Sequence, residues 1–300
     1  MKLETFATLA AVIEEGSFAA AAAAMHLTPS AVSMQMKQLE QYLGQPLFDR
    51  SGLQVRPTAL AREVVASMEG GLRHLSALRR RASVAVEGTV RLGVIESMQP
   101  VLLPGTLRYL RDRYPRLNVK PVRGRSTGLV EMVKAGQLDA AVVARPESGR
   151  MTSLRWYPVA TRELMLIAPP DASGADLSPT GLLARHDWIR YDRATVSGTM
   201  AARYVHGLLP DKRSAMEFDS VTAIVAMVSA GLGVSVVQLM DPTVCDRYPV
   251  RRIRLGADAP VLQVSLVLRK ADEDSRLLQA LREAVEVTLK TSVASGAGLR

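Results

Sequence analysis

The spacing of apolar residues changes once along this chain, near Thr89, and the change limits the folds open to it. Before Thr89, apolar residues recur at three- and four-residue intervals, which is typical of amphipathic helices. After it, short β-rich runs such as VRLGVI, LNVKPV and DAAVVA alternate with helical stretches such as Leu102–Tyr114 and Gly128–Ala135, and a final helix is predicted over Asp272–Leu289. Alternating strands and helices predict a doubly wound, largely parallel sheet. We therefore expect a helical N-terminal part and an α/β C-terminal part that has two lobes with a cleft between them.

The first 45 residues predict three short helices from local signals alone. Gly16 is a typical C-terminal residue of a first helix, and Ser17 caps a second helix that reaches Met25. Thr28-Pro29 is a cap followed by a first-turn proline, and it begins a third helix that Gly44 ends. Two short helices followed by a third at this spacing predict a helix-turn-helix.

The third helix has two different faces. Its apolar stripe consists of Val32, Met36, Leu39 and Leu43, and its opposite face of Ser30, Ser33, Lys37 and Gln41. Small hydroxyl side chains near a helix N-terminus let the backbone approach base edges in a major groove. The pattern alone leaves an ordinary amphipathic helix with a solvated face as the alternative.

Residues 45–58 and the helix after them predict a wing and a linker. Ser51-Gly52 is a turn signal between two extended runs, and Thr58 caps a long helix from Ala59 to about Val86. The apolar stripe of that helix has no partner within its own segment, so we expect it to pair with a second copy. The stripe consists of Ala61, Val64, Val65, Met68, Leu72, Leu75 and Leu78.

The net charge of the chain gives little support to a nucleic-acid-binding function. The formal charge is +9, but residues 1–87 hold nine Lys and Arg against eight Asp and Glu, so most of the excess lies in the C-terminal part.

The lone Cys245 cannot form an intrachain disulfide and suits a reducing cytosol. It is either a structural thiol or a redox switch. No uncharged apolar run of 18 residues occurs, so we expect a soluble, cytoplasmic protein without a membrane partner.

Signs of catalysis are missing from the sequence. The four histidines, His26, His74, His186 and His206, show no metal-ligand spacing. No nucleophile elbow or phosphate loop occurs, and Gly231-Leu232-Gly233 follows a helix instead of a strand. We therefore predict a protein that is not an enzyme and that holds no metal and no cofactor.

A long ordered set of residues resembles the N-terminal signature of LysR-type transcriptional regulators. The matching pieces are Gly16-Ser17-Phe18, Ala21-Ala22, Thr28 to Ser33, Leu39-Glu40, Leu43-Gly44, Leu47-Phe48 with Arg50, and Thr58. The resemblance implies an α+β multidomain protein with a winged helix-turn-helix, a dimerising linker helix and a two-lobed, periplasmic-binding-protein-like effector domain. The expected divisions are 1–58, 59–87 and 88–300, with lobe I at about 88–160 and 268–300 and lobe II at about 161–267.

Carried onto this chain, the resemblance implies a set of DNA-contacting residues: Thr28, Ser30, Ala31, Ser33, Met34, Lys37, Arg50 and Arg56. The chain departs from the family pattern at three places. Met34 stands where an Arg is common, Leu53 where a further basic wing residue is common, and Ala61 where Gly is frequent. The first two departures remove candidate phosphate or groove contacts, and we expect Arg56 to substitute for one of them.

The resemblance continues more loosely to about residue 270 and places an effector between the lobes. The loops that it implies hold Ser97, Ser126, Thr127, Arg145, Ser197, Thr199 and Thr222. Hydroxyls and free amides at helix N-termini suit anions, and Arg123, Arg125 or Arg145 could supply a countercharge, which favours an anionic effector. A neutral effector, or plain N-caps, remain alternatives. The segment Trp188–Arg193 either lines the cleft or is a surface hairpin or lobe-packing strand.

We therefore expect a sequence-specific, DNA-binding transcriptional regulator that a small molecule between two C-terminal lobes controls. The expected partners are double-stranded DNA, a small-molecule effector and further copies of the chain in a homodimer or homotetramer, with RNA polymerase as another candidate. A solute-binding protein of the transport type and an enzyme on the same α/β fold are the alternatives. The first would have no use for residues 17–58, and the second lacks site residues.

Overall fold

The computed structural model describes residues 2–49, 56–81, 86–145, 152–173, 176–256 and 259–296. Its contacts divide the chain into two units. The first comprises Met1–Ala82 with Ala135–Gln137, and the second comprises Ser83–Lys134 with Leu138–Arg300.

The first unit contains four helices and a two-stranded antiparallel sheet within the described residues. These elements are α1 (Glu4–Glu15), α2 (Phe18–Ala24), α3 (Pro29–Leu43), β1 (Phe48–Asp49), β2 (Arg56–Pro57) and α4 (Ala59–Arg81). The order confirms the predicted helix-turn-helix, the hairpin strands and the long helix after them. The turn at Ser51-Gly52 and the predicted last residues of the linker helix, 82–85, lie outside the described residues.

Local chemistry accounts for the helix ends. Gly16 and Gly44 adopt left-handed backbone conformations, with φ of 72° and 68°, where a side chain would be strained. The hydroxyls of Ser17, Thr28 and Thr58 each accept a hydrogen bond from the amide three residues on, at 3.1, 3.2 and 3.2 Å. Each cap satisfies a backbone donor that the helix itself leaves unpaired, so the predicted boundaries are confirmed.

The apolar stripe of α3 forms the centre of this unit. Val32, Met36 and Leu39 are fully buried, and they share a core with residues of α1, α2 and the start of α4. Val64 and Val65 of α4 pack against the same core. The N-terminal part of the linker stripe is therefore covered within the chain, and only its later part needs another partner.

The second unit is α/β. In chain order its elements are β3 (Gly88–Val94), α5 (Gln99–Arg113), β4 (Leu117–Arg123), α6 (Ser126–Lys134), β5 (Ala140–Ala144), β6 (Leu154–Glu163), β7 (Met165–Ala168), α7 (Pro179–Arg185), β8 (Trp188–Tyr191), α8 (Val196–Leu208), β9 (Ser214–Phe218), α9 (Val221–Ser229), β10 (Ser235–Val237), α10 (Val244–Arg247), β11 (Arg251–Arg254), β12 (Val261–Arg269) and α11 (Arg276–Gly296).

Its strands form two lobes. The first has a five-stranded sheet in the order β4-β3-β5-β12-β6, and the second has β10-β7-β11 beside the pair β8-β9. A backbone bridge between Trp188 and Val234 joins the two sheets of the second lobe. The chain crosses between the lobes after β6 and again before β12. The two lobes and the two crossing segments agree with the predicted architecture.

The strand directions refine one expectation. β3 pairs in parallel with β4 and β5, and β8 with β9, but β12 is antiparallel to both of its neighbours and β7 is antiparallel to β10 and β11. Four of the five strands of each lobe therefore run in one direction, as a mostly parallel sheet predicts, and the strand that arrives from the other lobe is reversed. The return also comes earlier than residue 268, because β12 begins at Val261 in the first lobe.

Several helices differ from the pattern-based bounds. α5 begins at Gln99 instead of Leu102, after a 3-10 turn at Glu96–Met98, and α6 begins at Ser126 instead of Gly128. The last helix begins at Arg276, because Lys270–Asp272 forms a 3-10 turn. The sequence pattern did not reveal α7 or α8, whose caps Ser178 and Thr195 accept from amides three residues on, at 3.1 and 2.9 Å.

Candidate nucleic-acid interface and ligand cavity

The outer face of α3 is polar and open. Ser30, Ser33 and Lys37 are exposed, as the helical periodicity predicted, and Ala31 is half-buried beside them. Met34 is 60% exposed on the same side of the helix. The first two turns of α3 therefore present short side chains, one flexible apolar side chain and one cation.

Thr28 has a local structural task. Its Oγ1 accepts the bond from the Ala31 amide and lies 3.0 Å from Ser30 Oγ, so the hydroxyl is already engaged. His26, in the turn between α2 and α3, adopts a left-handed conformation with φ of 54°. Both residues belong to the turn and cap that join α2 to α3.

The hairpin supplies one further candidate cation. Arg56, in β2, is exposed and pairs in register with Asp49 of β1. Arg50 lies outside the described residues, as does Leu53. Their predicted places in the wing therefore remain predictions.

A cavity of about 250 Å³ lies between the two lobes of the second unit. The ends of β3 and β4 and the N-terminus of α6 border it from the first lobe, and the end of β8 and the N-terminus of α8 from the second. Ser97, Ser126 and Ser197, three of the predicted effector residues, line it. The amides of Val196 and Ser197, in the first turn of α8, make no hydrogen bond to the described residues.

Four predicted effector residues do not line this cavity. The Arg145 guanidinium lies 5.6 Å from the Trp156 ring centre. Thr199 is exposed, and its hydroxyl donates to the carbonyls of Arg193 and Thr195 at 3.1 and 3.0 Å. Thr127 and Thr222 are exposed on the first turns of α6 and α9. A helix turn points only some of its residues at one site, and sequence position alone does not say which.

Ser126 lines the cavity and also has a structural role. It is buried, and its Oγ accepts a hydrogen bond from the Ala144 amide at 3.1 Å, which ties α6 to the end of β5. The bond uses an oxygen lone pair and leaves the hydroxyl proton available to a ligand.

Four charged residues also line the cavity, and the sequence analysis predicted only the two basic ones. Arg123 and Arg125, predicted only as candidate countercharges, line the cavity together with Glu96 and Asp219. Three polar contacts cross from the first lobe to the second. They join Glu96 to Ser220 at 3.1 Å, Arg123 to Asp219 at 3.8 Å, and Arg125 to Asp192 at 2.5 Å. Acidic and basic groups of opposite lobes thus face each other over the cavity.

The segment Trp188–Arg193 both packs as a strand of the second lobe and lines the cavity, two roles that were predicted as alternatives. β8 is a buried strand of the second lobe and pairs in parallel with β9, so the segment is not a surface hairpin. Its last residue, Tyr191, lines the cavity. Burial raises the pKa of the Tyr191 phenol, and the nearby carboxylates of Glu96, Asp219 and Asp192 raise it further. The phenol is therefore a neutral hydrogen-bond donor.

Gly198 brings α8 against β8. A Cβ at this position would lie 2.1 Å from the carbonyl oxygen of Asp192, so no larger residue fits without a backbone shift. This close approach places the first turn of α8 at the cavity.

Cys245 lies away from the cavity, half-buried in α10. Burial raises the pKa of its thiol. Among the residues that the structure describes, no group of His, Cys, Asp and Glu could hold a metal ion, and no helix is long and apolar enough to cross a membrane.

Two family models match the chain. The model of the bacterial regulatory helix-turn-helix protein, lysR family, matches residues 3–62, and that of the LysR substrate binding domain matches residues 84–289. Among similar proteins, a probable hydrogen peroxide-inducible genes activator of Mycobacterium leprae (strain TN) is 27% identical over 292 residues, 94% of this chain and 92% of that protein. The regulator CbbR of Xanthobacter flavus is 29% identical over 291 residues, 90% and 83% of the two chains.

Solved structures share the fold over nearly the whole chain. A full-length single-residue variant of OxyR from Pseudomonas aeruginosa has a TM-score of 0.71 at 22% identity, covering 96% of this chain and 95% of that one. Full-length CbnR in complex with its target DNA has a TM-score of 0.59 at 22% identity, covering 96% and 100%. The matched models together span both units, so the chain belongs to the LysR family and is a DNA-binding transcriptional regulator with a C-terminal effector-binding domain.

Proposed function

We propose that this regulator reads duplex DNA with α3 and responds to a small effector that carries an anionic group and binds in the cavity between the lobes. The observation that carries the effector part is the convergence of two helix N-termini, α6 and α8, on one cavity. Helix N-termini present free amides and a partial positive charge, each contributing about 0.3–1 kcal/mol toward an anion.

In the proposed DNA complex, the N-terminal part of α3 enters the major groove. Ser30, Ser33, Met34 and Lys37 then face the bases and backbone, with Ala31 close to the groove wall. Thr28 holds the helix start, and Arg56 contacts phosphates from the wing, with Arg50 as its predicted neighbour. The exposure of the α3 face and its short side chains support this orientation.

The proposed division of labour follows the predicted boundaries. Residues 1–58 read DNA, residues 59–87 pair two copies, and residues 88–300 bind the effector. A homodimer or homotetramer presents two readers to two half-sites one or more helical turns apart. A regulator that meets chromosomal DNA works in the cytoplasm, where RNA polymerase is a further proposed partner, and we propose no catalytic activity for it.

The name of the Mycobacterium leprae relative suggests peroxide sensing as a second candidate function. The reactive form of a cysteine is the thiolate. Because burial raises the pKa of the only cysteine, Cys245, its thiolate is disfavoured at neutral pH. The chemistry of this residue favours a structural thiol and an effector other than peroxide.

A thermal-shift screen tests the proposed effector site. The panel contains amino acids, hydroxy acids and dicarboxylic acids, each beside its primary amide. We expect acids to raise the melting temperature of the full chain and their amides to leave it unchanged. Ser197→Trp, which fills the cavity, should abolish the shift, whereas Thr199→Trp on the exposed side of the same helix should not.

The same compounds are then added to the protein on a duplex selected from a random library. Fluorescence anisotropy should show that a stabilising acid changes the DNA affinity of the wild type and of Thr199→Trp, but not of Ser197→Trp. Stabilisation by the amides alone, or shifts that persist in Ser197→Trp, would contradict an anion site at this cavity.

A further inference from the structure

The cavity lining is balanced in charge, which an anion site by itself does not require. Arg123 and Arg125 supply two positive charges, and Glu96 and Asp219 supply two negative ones. Arg125 is already held by Asp192, whose other oxygen accepts from the Ala194 amide at 2.8 Å. A purely anionic ligand would therefore enter a cavity whose firmly held guanidinium is already neutralised.

The remaining ion pair is loose. Arg123 Nη2 and Asp219 Oδ2 lie 3.8 Å apart, beyond hydrogen-bonding distance, and both side chains are more than half exposed. Each group therefore has hydrogen-bonding capacity left for a ligand. A molecule that carries both charges could satisfy the guanidinium with one end and the carboxylate with the other.

Tyr191 marks the negative side of the cavity. The residue is 6% exposed, lines the cavity, and its hydroxyl makes no hydrogen bond to the described residues. A phenol hydroxyl that the protein leaves unpaired at the wall of a cavity can hydrogen-bond to a ligand there. The carboxylates of Glu96, Asp219 and Asp192 all act on this hydroxyl, with Arg123 opposing them. The electrostatic potential around it therefore favours a cation.

The positive side lies at the first turn of α8. The amides of Val196 and Ser197 are free to donate there, and Ser126, whose hydroxyl proton the Ala144 bond does not use, lines the same cavity. The cavity volume of about 250 Å³ lies below the roughly 300–1,000 Å³ of typical ligand pockets and suits a small metabolite.

We propose that the effector is a small zwitterion of the α-amino acid class. Its carboxylate faces the α8 N-terminus and Arg123, and its ammonium group faces Glu96, Asp219 and the Tyr191 hydroxyl. This inference rests on the proposed effector site and adds a cationic group on the ligand and the residues that bind it.

Isothermal titration of the full-length protein tests it. The twenty proteinogenic L-amino acids are titrated first, and each one that binds is followed by three analogues: its deaminated acid, its decarboxylated amine and its primary amide. We expect at least one amino acid to bind, and to bind at least tenfold more tightly than each of its three analogues.

Two variants remove the negative side. Glu96→Gln and Asp219→Asn should each weaken amino-acid binding at least fivefold while leaving the deaminated acid unaffected or bound more tightly. Asp171→Asn, an exposed carboxylate of the second lobe outside the cavity, is the matched control and should change neither. Glutamine keeps an oxygen that can accept from Ser220, so loss of that contact is not the cause.

The outcomes separate this inference from the function on which it rests. A deaminated acid that binds as tightly as its amino acid, with no effect of Glu96→Gln, would overturn the zwitterion and leave the anion site standing. An amide or an amine that binds as tightly as the amino acid would overturn both. Failure of every amino acid to bind, while other acids do, would overturn the zwitterion alone.

Discussion

At the scale of single residues, Gly198 determines how closely α8 approaches the proposed effector site. It lets the first turn of α8 pack against the last residues of β8, and so brings Val196 and Ser197 to the same cavity as Tyr191. The local sequence around Gly198 does not predict this contact. The requirement comes from the Asp192 carbonyl, which becomes a neighbour only once the helix has folded back.

We predict that Gly198→Ala destabilises the second unit by about 1–3 kcal/mol, because the added methyl overlaps backbone and the helix must move. Gly207→Ala, on the same helix, is the control. Its added methyl meets nothing within 4 Å, so it should stabilise by about 0.5–1 kcal/mol. Urea unfolding followed by tryptophan fluorescence reports this unit alone, since Trp156 and Trp188 both lie in it. Equal effects of the two substitutions would contradict the close approach.

Residue chemistry predicted the helix caps well and the cavity only in part. Ser17 and Thr28 act through the amide three positions later, a contact that the local sequence contains. Arg145 shows the limit. Its guanidinium packs over the ring of Trp156, and no local sequence pattern predicts this contact in place of a contact with a ligand. Charges such as Asp219 were missed because their partners, here Arg123, come from the other lobe.

At the scale of elements, α4 divides into two parts. Ala61 is fully buried in the first unit's core, but Leu75, farther along the same stripe, is 44% exposed in the single chain. Because Leu75 continues the stripe whose first part packs in the core, it is available to pair with a second copy. The proposed linker pair therefore rests on the later part of the stripe.

We predict that Leu75→Asp shifts the assembly toward monomers, because burial of a leucine contributes roughly 1.5–3 kcal/mol per copy and a buried aspartate would oppose pairing. Ala66→Asp, nine residues earlier, adds the same charge at an exposed position on about the opposite side of the helix and should leave the assembly intact. Sedimentation velocity measures both. An unchanged mass for Leu75→Asp would show that the stripe packs elsewhere.

Periodicity predicted which segments are helix or strand far better than which sheet they join. The helix pattern placed α3 to the residue, since its caps and its buried face are local. The membership of β12 in the first lobe was not visible, because its partners β5 and β6 lie about a hundred residues earlier. Pairing across such a distance depends on how the second lobe folds between them.

At the scale of the whole molecule, the chain combines a small helical reader with a larger two-lobed unit that carries most of the positive charge. The reader is close to neutral, so affinity for DNA has to come from placed contacts more than from net charge. Proteins of this kind derive specificity from a few short side chains at base edges. The orientation of α3 on the duplex therefore decides specific binding.

Duplexes selected from a random library by the wild-type protein, then measured by fluorescence anisotropy, test that orientation. Ser33→Trp places a bulky ring at the centre of the proposed groove-facing surface, and Ser67→Trp makes the same change at an exposed position of α4. We predict that Ser33→Trp binds the selected duplex no better than random DNA, a loss on the order of a thousandfold or more, while Ser67→Trp binds like the wild type. Wild-type affinity and selectivity in Ser33→Trp would contradict the proposed docking of α3 in the major groove.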